Sequence, residues 1–181
     1  MKNVIGLIKY LFQNPESYAR DIGVHIGNGC YISTKNFSSE PYLIHIGDNV
    51  RVAKGVSFFT HGGIWPFRKS NENLDYFGKI VIGNNCYLGE DSKIMPGVTI
   101  EDNCIIGAGT VVTKSIPSGS IVAGNPVRYI GETTDFLQKV RKYNCRTKFL
   151  GEKDKMKLLL RLSEKDFVKK DFLIKNTRNN N

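Results

Sequence analysis

The sequence predicts a mainly β protein built around a parallel β-helix of about four coils, followed by α-helices. Aliphatic residues recur at every sixth position, small or β-branched residues follow four positions later, and glycine and asparagine are frequent between them. The aliphatic series is Ile82, Leu88, Ile94, Ile100, Ile106 and Val112, and the small series is Cys86, Ser92, Val98, Cys104 and Thr110. A six-residue period fits one short strand and a turn, so three units make a triangular coil of about eighteen residues. Glycine and asparagine suit the corners because they adopt left-handed backbone conformations at low cost.

The repeat occupies residues 20–131 and is interrupted twice. One interruption runs from Ser33 to Leu43, and the other covers residues 59–79. A long excursion from so regular a solenoid is usually functional or disordered. The second excursion contains His61 and Trp65, the only tryptophan of the chain, so we expect it to be the functional loop. We also expect its aromatic side chains to be buried beside His61, where they would lower the local dielectric and position a base.

Residues 1–19 precede the repeat and contain a short amphipathic helix. Its apolar residues lie at helical spacing and include Val4, Leu7, Ile8 and Leu11, and Asn14-Pro15 is a stop signal. We expect this face to pack on the protein, with a shallow contact to an anionic membrane as the alternative. The segment lacks the order of a signal peptide, which predicts a cytoplasmic protein with at most a peripheral contact at the inner face of the membrane.

The positive charge is concentrated toward the C-terminus. Residues 132–181 carry 14 Lys and Arg against 7 Asp and Glu, whereas residues 1–131 carry 12 against 10. The nearly neutral body offers no broad cationic surface for nucleic acid. The pattern in residues 132–175 predicts two short helices that cap the open edge of the solenoid, and residues 176–181 are predicted to be disordered.

The four cysteines predict neither disulfides nor a metal centre. They occur in a chain without an export signal, and none forms a CxxC pair. Cys30, Cys86 and Cys104 take the small inward position of the repeat, so we expect them to pack in the core. Cys145 lies in the basic tail and has no evident role.

The three histidines differ in context. His25 and His45 each precede an Ile-Gly pair that starts a repeat unit, so they are predicted to point outward on successive coils. His61 lies instead where the repeat gives way to the long loop. An imidazole titrates near neutral pH and can act as a general base, which makes His61 the candidate catalytic residue.

Several longer motifs carry a resemblance to one known protein family. They are Ile82-Gly83-Asn84-Asn85-Cys86-Tyr87-Leu88-Gly89, Pro96-Gly97-Val98-Thr99-Ile100, Ile106-Gly107-Ala108-Gly109-Thr110-Val111-Val112-Thr113-Lys114, Ile116-Pro117 and Val122-Ala123-Gly124-Asn125-Pro126-Val127-Arg128. Over residues 20–130 the chain resembles the left-handed β-helix acyltransferases of the hexapeptide-repeat superfamily. It is most similar to the galactoside, maltose and xenobiotic acetyltransferase branch and to the O-acetyltransferases of surface-polysaccharide synthesis. The left-handed coil is implied by the resemblance alone, because crossover connections are normally right-handed.

The resemblance implies an acetyl-CoA-dependent acyltransferase that uses acetyl-CoA as co-substrate and no metal. It makes His61 the base that takes a proton from the acceptor as the acceptor attacks the thioester. A backbone N–H near Gly89-Glu90 would stabilise the negative charge of the tetrahedral intermediate. Family members bind the pantetheine arm and the nucleotide phosphates of the cofactor through positions that correspond here to Ala108, Thr113, Lys114 and Arg128.

The resemblance also implies an acceptor site and an assembly. Trp65 lies in the loop expected to select the acceptor, and Tyr87 stands where relatives often have a tryptophan packed on the catalytic histidine. Family members are homotrimers in which each active site takes its histidine from one subunit and part of its cofactor wall from the next.

Several functions fit these residues. The leading one is O-acetylation of a sugar hydroxyl in surface-polysaccharide biosynthesis. N-acetylation of a nucleotide-linked amino sugar and acetylation of a drug of the chloramphenicol or streptogramin type are alternatives. A γ-type carbonic anhydrase is disfavoured because it needs three histidines around zinc, and no second histidine accompanies His61. A non-enzymatic scaffold is the last alternative, although an inert solenoid has little need of the loop at 59–79.

Overall fold

The computed structural model describes residues 10–172, and it begins with two helical segments ahead of the repeat. Tyr10–Phe12 are helical, whereas most of the predicted amphipathic helix lies outside the described residues, as does the predicted disordered segment 176–181. A second helix, α1, spans Pro15–Asp21 and was not predicted. The Asn14 side chain accepts a hydrogen bond from the Ser17 N–H at 2.9 Å, and proline occupies the first turn. Asn14-Pro15 therefore begins a new helix as well as ending the earlier one.

Thirteen short strands follow α1 within the described residues. They are β1 His25–Ile26, β2 Tyr31–Ile32, β3 Ile44–Ile46, β4 Arg51–Val52, β5 Ser57–Phe58, β6 Ile80–Ile82, β7 Tyr87–Leu88, β8 Lys93–Ile94, β9 Thr99–Ile100, β10 Ile105–Ile106, β11 Val111–Val112, β12 Ser120–Ala123 and β13 Arg128–Glu132. Sheet A has the order β1-β3-β6-β9, sheet B has the order β13-β12-β10-β7-β4-β2, and sheet C has the order β11-β8-β5. All pairs are parallel except β12 with β13. The prediction of a mainly β protein with parallel sheets is confirmed.

The register stacks the aliphatic series into one core. Leu88 pairs with Val52 on one side and with Ile106 on the other, and Ile94 pairs in the same way with Phe58 and Val112. The six aliphatic residues of the series are at most 2 % exposed, and the five small residues are at most 3 % exposed. The predicted inward positions are therefore confirmed, with Cys30 only partly buried.

A column of asparagines with left-handed backbone conformation forms one corner of the solenoid. Asn49, Asn85 and Asn103 have φ values of 54°, 56° and 60° at equivalent positions of successive coils. Their side chains form a ladder, because the Asn49 Nδ2 donates to Asn85 Oδ1 at 2.8 Å and the Asn85 Nδ2 donates to Asn103 Oδ1 at 3.3 Å. Asparagine thus both adopts the conformation that the corner needs and links neighbouring coils.

The residues after the solenoid belong to a second compact unit, whose boundary lies between Asp135 and Phe136. Helix α2 spans Thr133–Arg141, helix α3 spans Glu152–Arg161, and a 3-10 helix covers Glu164–Asp166. Neither α2 nor α3 contains a buried residue. Among residues 10–172, no helix is both long enough and apolar enough to span a bilayer.

Candidate active site

The long loop leaves the solenoid after β5 and returns at β6, and its two ends pair with each other. His61 forms an antiparallel bridge with Phe77, and the Gly78 N–H donates to the Thr60 carbonyl at 2.8 Å. The return point has no room for a side chain, because a Cβ on Gly78 would lie 2.3 Å from the Gly97 nitrogen. These paired ends of the loop, Thr60–His61 and Phe77–Gly78, are called the neck. The neck fixes His61 at the edge of the solenoid while the rest of the loop extends outward.

His61 is paired with a carboxylate from the other interruption of the repeat. Glu40 lies directly before the 3-10 helix Pro41–Leu43, and its Oε2 is 2.7 Å from the His61 Nδ1. The hydroxyl of the fully buried Thr60 donates to the same oxygen at 2.6 Å. The Glu40 side chain is 16 % exposed and that of His61 is 42 % exposed, so the carboxylate is shielded while the imidazole remains accessible.

The hydrogen bonds define the protonation of this pair. The hydrogen bond from Thr60 and, after it, the interactions with His61 hold the pKa of Glu40 below its ordinary value, although burial opposes the shift. An ionised carboxylate only accepts hydrogen bonds, so the Nδ1 of a neutral His61 carries the proton. The Nε2 is then the basic nitrogen, as a general base requires.

This protonation predicts a pH dependence of stability. Because the pKa of Glu40 is lowered on folding, its stabilising contribution is present above the ordinary pKa of 4.5 and is lost as the pH falls through the lower folded value. The difference in unfolding free energy between wild type and Glu40→Gln, measured by urea denaturation, should shrink as the pH falls from about 4.5 to about 3. A difference that stays constant over this range would contradict the assignment.

A cavity of about 460 Å³ opens beside the His61–Glu40 pair. Its lining includes Trp65, Tyr76 and Phe77, and the ring of Phe77 meets that of His61 edge-on with centroids 5.9 Å apart. The expectation of buried aromatic residues is wrong for this chain by itself, since Trp65 is 85 % exposed and Phe77 is 51 % exposed. The loop projects away from the solenoid, so its rings form an open wall instead of an apolar pocket.

An ion pair also belongs to the cavity wall. The Arg68 guanidinium donates to the Asp75 carboxylate at 3.1 Å and to the Glu72 carbonyl at 3.2 Å. These contacts join the outgoing and returning halves of the loop. The guanidinium therefore supports the loop and also adds donors to the cavity wall.

Three of the predicted cofactor residues, Gly89, Glu90 and Ala108, lie together at the corner between sheets B and C. The Gly109 N–H donates to the Glu90 carbonyl at 2.8 Å, and a Cβ on Gly89 would lie 2.6 Å from the Ala108 nitrogen. Gly89 is therefore required by the close approach of neighbouring coils whether or not a ligand binds there.

The other predicted residues are distributed over different edges. Thr113 and Lys114 follow β11, at the same end of sheet C as the start of the His61 loop, and Arg128 begins β13. Tyr87 lies on sheet B between Arg51 and Ile105 and is 41 % exposed. Of the predicted site residues other than His61 itself, only Trp65 lines this cavity in the described part of a single chain.

The remaining histidines lie outside this cavity. His25 and His45 point outward on successive strands of sheet A, as predicted, and their rings stack with centroids 4.4 Å apart. Burial, and then the neighbouring His25 and Lys79, lower the pKa of His45. Among residues 10–172, no cluster of three or more His, Cys, Asp or Glu side chains is placed to hold a metal ion.

The candidate site residue that sequence reasoning missed is Glu40. The period of six marked both interruptions of the repeat but did not show that they meet. A signal was available, because the first interruption contains a single acidic residue and lies one coil before the loop of His61. Excursions from neighbouring coils at the same corner are brought together by the stacking itself.

Comparisons with known proteins identify the family of this chain. Residues 79–114 match the family described as bacterial transferase hexapeptide (six repeats). Protein CapG of Staphylococcus aureus is 43% identical over 149 residues, covering 80% of this chain and 87% of that protein. The galactoside O-acetyltransferase of Escherichia coli strain K12 is 38% identical over 123 residues, and the match covers 67% of this chain but only 60% of that relative's length.

Solved structures with a similar fold include acetyltransferases, as the sequence relatives do. A galactoside acetyltransferase in complex with coenzyme A has a TM-score of 0.58 at 27% identity, covering 83% of this chain and 84% of that one. A maltose O-acetyltransferase from Clostridium difficile 630 has a TM-score of 0.55 at 29% identity, covering 72% of this chain and 83% of that one.

The chain belongs to the hexapeptide-repeat family of bacterial transferases. The predicted enzyme class, an acyltransferase, is confirmed by these relatives, which include acetyltransferases and one structure solved with coenzyme A bound. The predicted resemblance to the galactoside and maltose branch is confirmed as well.

Proposed function

We propose that the protein is an acetyl-CoA-dependent O-acetyltransferase that acts on a sugar hydroxyl in surface-polysaccharide biosynthesis, on a left-handed β-helix of about four coils. The observation that carries this proposal is the His61–Glu40 hydrogen bond of 2.7 Å in the wall of a cavity of about 460 Å³. A general base needs both an accessible imidazole and a fixed tautomer, and this pair supplies both. The sugar acceptor is supported by the galactoside and maltose acetyltransferases among the relatives.

In the proposed reaction, His61 acts directly and no covalent enzyme intermediate forms. The Nε2 accepts the proton of the acceptor hydroxyl while the hydroxyl oxygen attacks the thioester carbonyl of acetyl-CoA. The tetrahedral intermediate then collapses, its bond to sulfur breaks, and the leaving thiolate takes the proton from Nε2. The products are an acetyl ester and free coenzyme A. Glu40 stabilises the imidazolium during these steps because its carboxylate remains ionised beside Nδ1.

Backbone and cationic groups of the later coils complete the proposed site. A backbone N–H near Gly89-Glu90 would donate to the oxyanion of the intermediate. Ala108 and Thr113 would lie along the pantetheine arm, and Lys114 and Arg128 would neutralise the phosphates of coenzyme A. The exposed Trp65 offers a flat apolar surface on which a sugar ring can stack.

We further propose that the active site is shared between subunits of a homotrimer. The distribution of residues supports this proposal, since none of the proposed cofactor residues of the same chain lines the cavity at His61. A neighbouring copy would bring its own cofactor corner and Tyr87 to the loop of His61.

A complementation experiment tests the shared site. Sedimentation velocity should give a particle of roughly three times the 20.4 kDa chain mass. His61→Ala and Ala108→Asp should each be inactive alone, whereas trimers assembled from both variants should regain activity. In such a trimer, one interface combines the intact His61 of one subunit with the intact Ala108 of the next. A fully active monomer, or mixed trimers without activity, would contradict the arrangement.

Glu40 is proposed as a positioning residue for His61. Glu40→Gln should lower kcat by on the order of 10- to 100-fold, which is less than the full contribution of a general base. The KM for acetyl-CoA should change little, because Glu40 contacts the histidine and not the proposed cofactor residues. Glu72→Gln, in the exposed loop, is the matched control and should leave kcat unchanged. Equal kcat values in both variants would remove Glu40 from the mechanism.

The acceptor is identified by measuring thiol release from acetyl-CoA with a panel of sugars, nucleotide-linked amino sugars and drugs of the chloramphenicol and streptogramin type. The proposal expects release that depends on a sugar hydroxyl and an O-acetyl ester as product. Formation of an amide from a nucleotide-linked amino sugar would replace the proposed acceptor by the N-acetylation alternative. Absence of acceptor-dependent release with every compound would favour a non-enzymatic scaffold.

A further inference from the structure

The C-terminal unit presents a large set of exposed apolar side chains. Phe149 and Phe172 are 95 % and 99 % exposed, and Leu160 is 79 % exposed. The remaining members of the set are exposed to a smaller extent. They are Phe136, Leu137, Leu150, Met156, Phe167 and Val168. Single exposed apolar residues are ordinary, but so many within 37 residues indicate a surface that another phase or molecule covers.

The same segment carries a strong positive charge. Residues 136–172 contain 12 Lys and Arg against 5 Asp and Glu. An ion pair joins Lys169 to Glu164 at 3.6 Å, but both side chains are at least 70 % exposed. Because cations outnumber anions by seven, the segment cannot neutralise itself. Its charge favours an anionic occupant and disfavours a second copy of the same segment.

Helix α3 combines the two properties on adjacent faces. Met156, Leu159 and Leu160 are spaced by three and four residues, which places them on one side of the helix. Lys153 and Lys157 follow the neighbouring side at the same spacing. Long lysine side chains beside an apolar face can reach headgroup phosphates while that face enters the acyl boundary.

We propose that residues 136–172 bind the surface of an anionic lipid bilayer. Helix α3 lies in the plane of the interface, its lysines contact headgroup phosphates, and Phe149 and Phe172 insert between the lipids. The proposal does not depend on acyl transfer. It identifies this segment as the means by which the enzyme reaches a membrane surface.

Two other occupants are less consistent with the segment. A polyanion such as RNA would use the lysines but would leave the apolar face of α3 in water. A second copy of the same segment would cover the apolar face but would bring two positive segments together. Of these three occupants, the lipid surface matches both the charge and the apolar residues.

Co-sedimentation of the full-length protein with vesicles tests the proposal. The protein should bind vesicles of phosphatidylcholine with about 30 mol % phosphatidylglycerol, but neither pure phosphatidylcholine nor anionic vesicles in about 0.5 M NaCl. Two variants separate the contributions: Met156→Ser with Leu160→Ser removes apolar contacts, and Lys153→Gln with Lys157→Gln removes charge. Each should weaken binding by about tenfold or more. Lys54→Gln with Lys93→Gln, two exposed lysines of the solenoid, should bind like wild type.

Three results would overturn the proposal. The first is absence of binding to anionic vesicles at low salt. The second is unchanged vesicle binding by the apolar variant together with equally tight binding of wild type to poly(U), which would identify a general polyanion surface. The third is a lower sedimentation coefficient of the apolar variant without lipid, which would show that a second copy covers this face. All four residues are exposed, so circular dichroism should show a native fold in both variants.

Discussion

Replacement of His61 by alanine should lower acceptor-dependent release of coenzyme A by about 10²- to 10⁴-fold, the usual contribution of a general base. The loss should appear in kcat, because the imidazole acts on the acceptor proton in the transition state and contacts none of the proposed cofactor residues. Steady-state kinetics with the best acceptor of the panel would measure it.

His45→Ala is the matched control for this experiment. His45 is an exposed histidine on sheet A that does not line the cavity of His61, so the variant should retain wild-type turnover. The sedimentation behaviour of both variants should equal that of wild type. Unchanged turnover in His61→Ala would refute the base assignment and leave the function of the Glu40 contact unexplained.

Replacement of Phe58 by alanine should destabilise the solenoid by about 4 kcal/mol, as is typical for removing a buried phenylalanine. Phe58 is 2 % exposed, it is the last residue of β5, and its ring stacks on Phe37 with centroids 5.3 Å apart. The cavity would lie two residues before Thr60, at the neck of the loop. Thermal unfolding should show a decrease of about 10 °C in Tm for a chain of this size.

An exposed phenylalanine provides the comparison for Phe58. Phe149 is 95 % exposed, so Phe149→Ala should change the free energy of unfolding by less than about 0.5 kcal/mol. Equal stability of the two variants would show that the stacked pair with Phe37 contributes little to the core. A loss of activity in Phe58→Ala at temperatures where it remains folded would show that the neck also positions His61.

The period of six was sufficient to predict the core and the parallel sheets. Each buried aliphatic residue repeats one interaction with the coil before and after it, so residues such as Leu88 and Ile94 could be placed from spacing alone. The corner asparagines followed from the same regularity, because the conformation at Asn85 recurs at Asn49 and Asn103.

The candidate site was predicted less completely, because it depends on residues outside the repeat. The context of His61 marked it as the candidate base, but Glu40 is 21 residues away in a segment without periodicity. Neither the exposure of Trp65 nor the separation of Tyr87 from the cavity follows from the sequence pattern. Helix α1 was missed for a related reason, since Asn14-Pro15 reads as a stop and also as a start.

The contact between Glu40 and His61 has an evolutionary consequence. The two excursions arise from successive coils, so the pair is a nearest-neighbour contact of the solenoid and is unaffected by the number of coils that follow. The proposed cofactor corner at Gly89 and Ala108 lies on later coils. Insertion or loss of one coil after His61 would therefore preserve the proposed acid–base pair while changing its distance from the proposed donor site. If the proposed sites are correct, the fold permits the catalytic chemistry and the substrate dimensions to diverge independently.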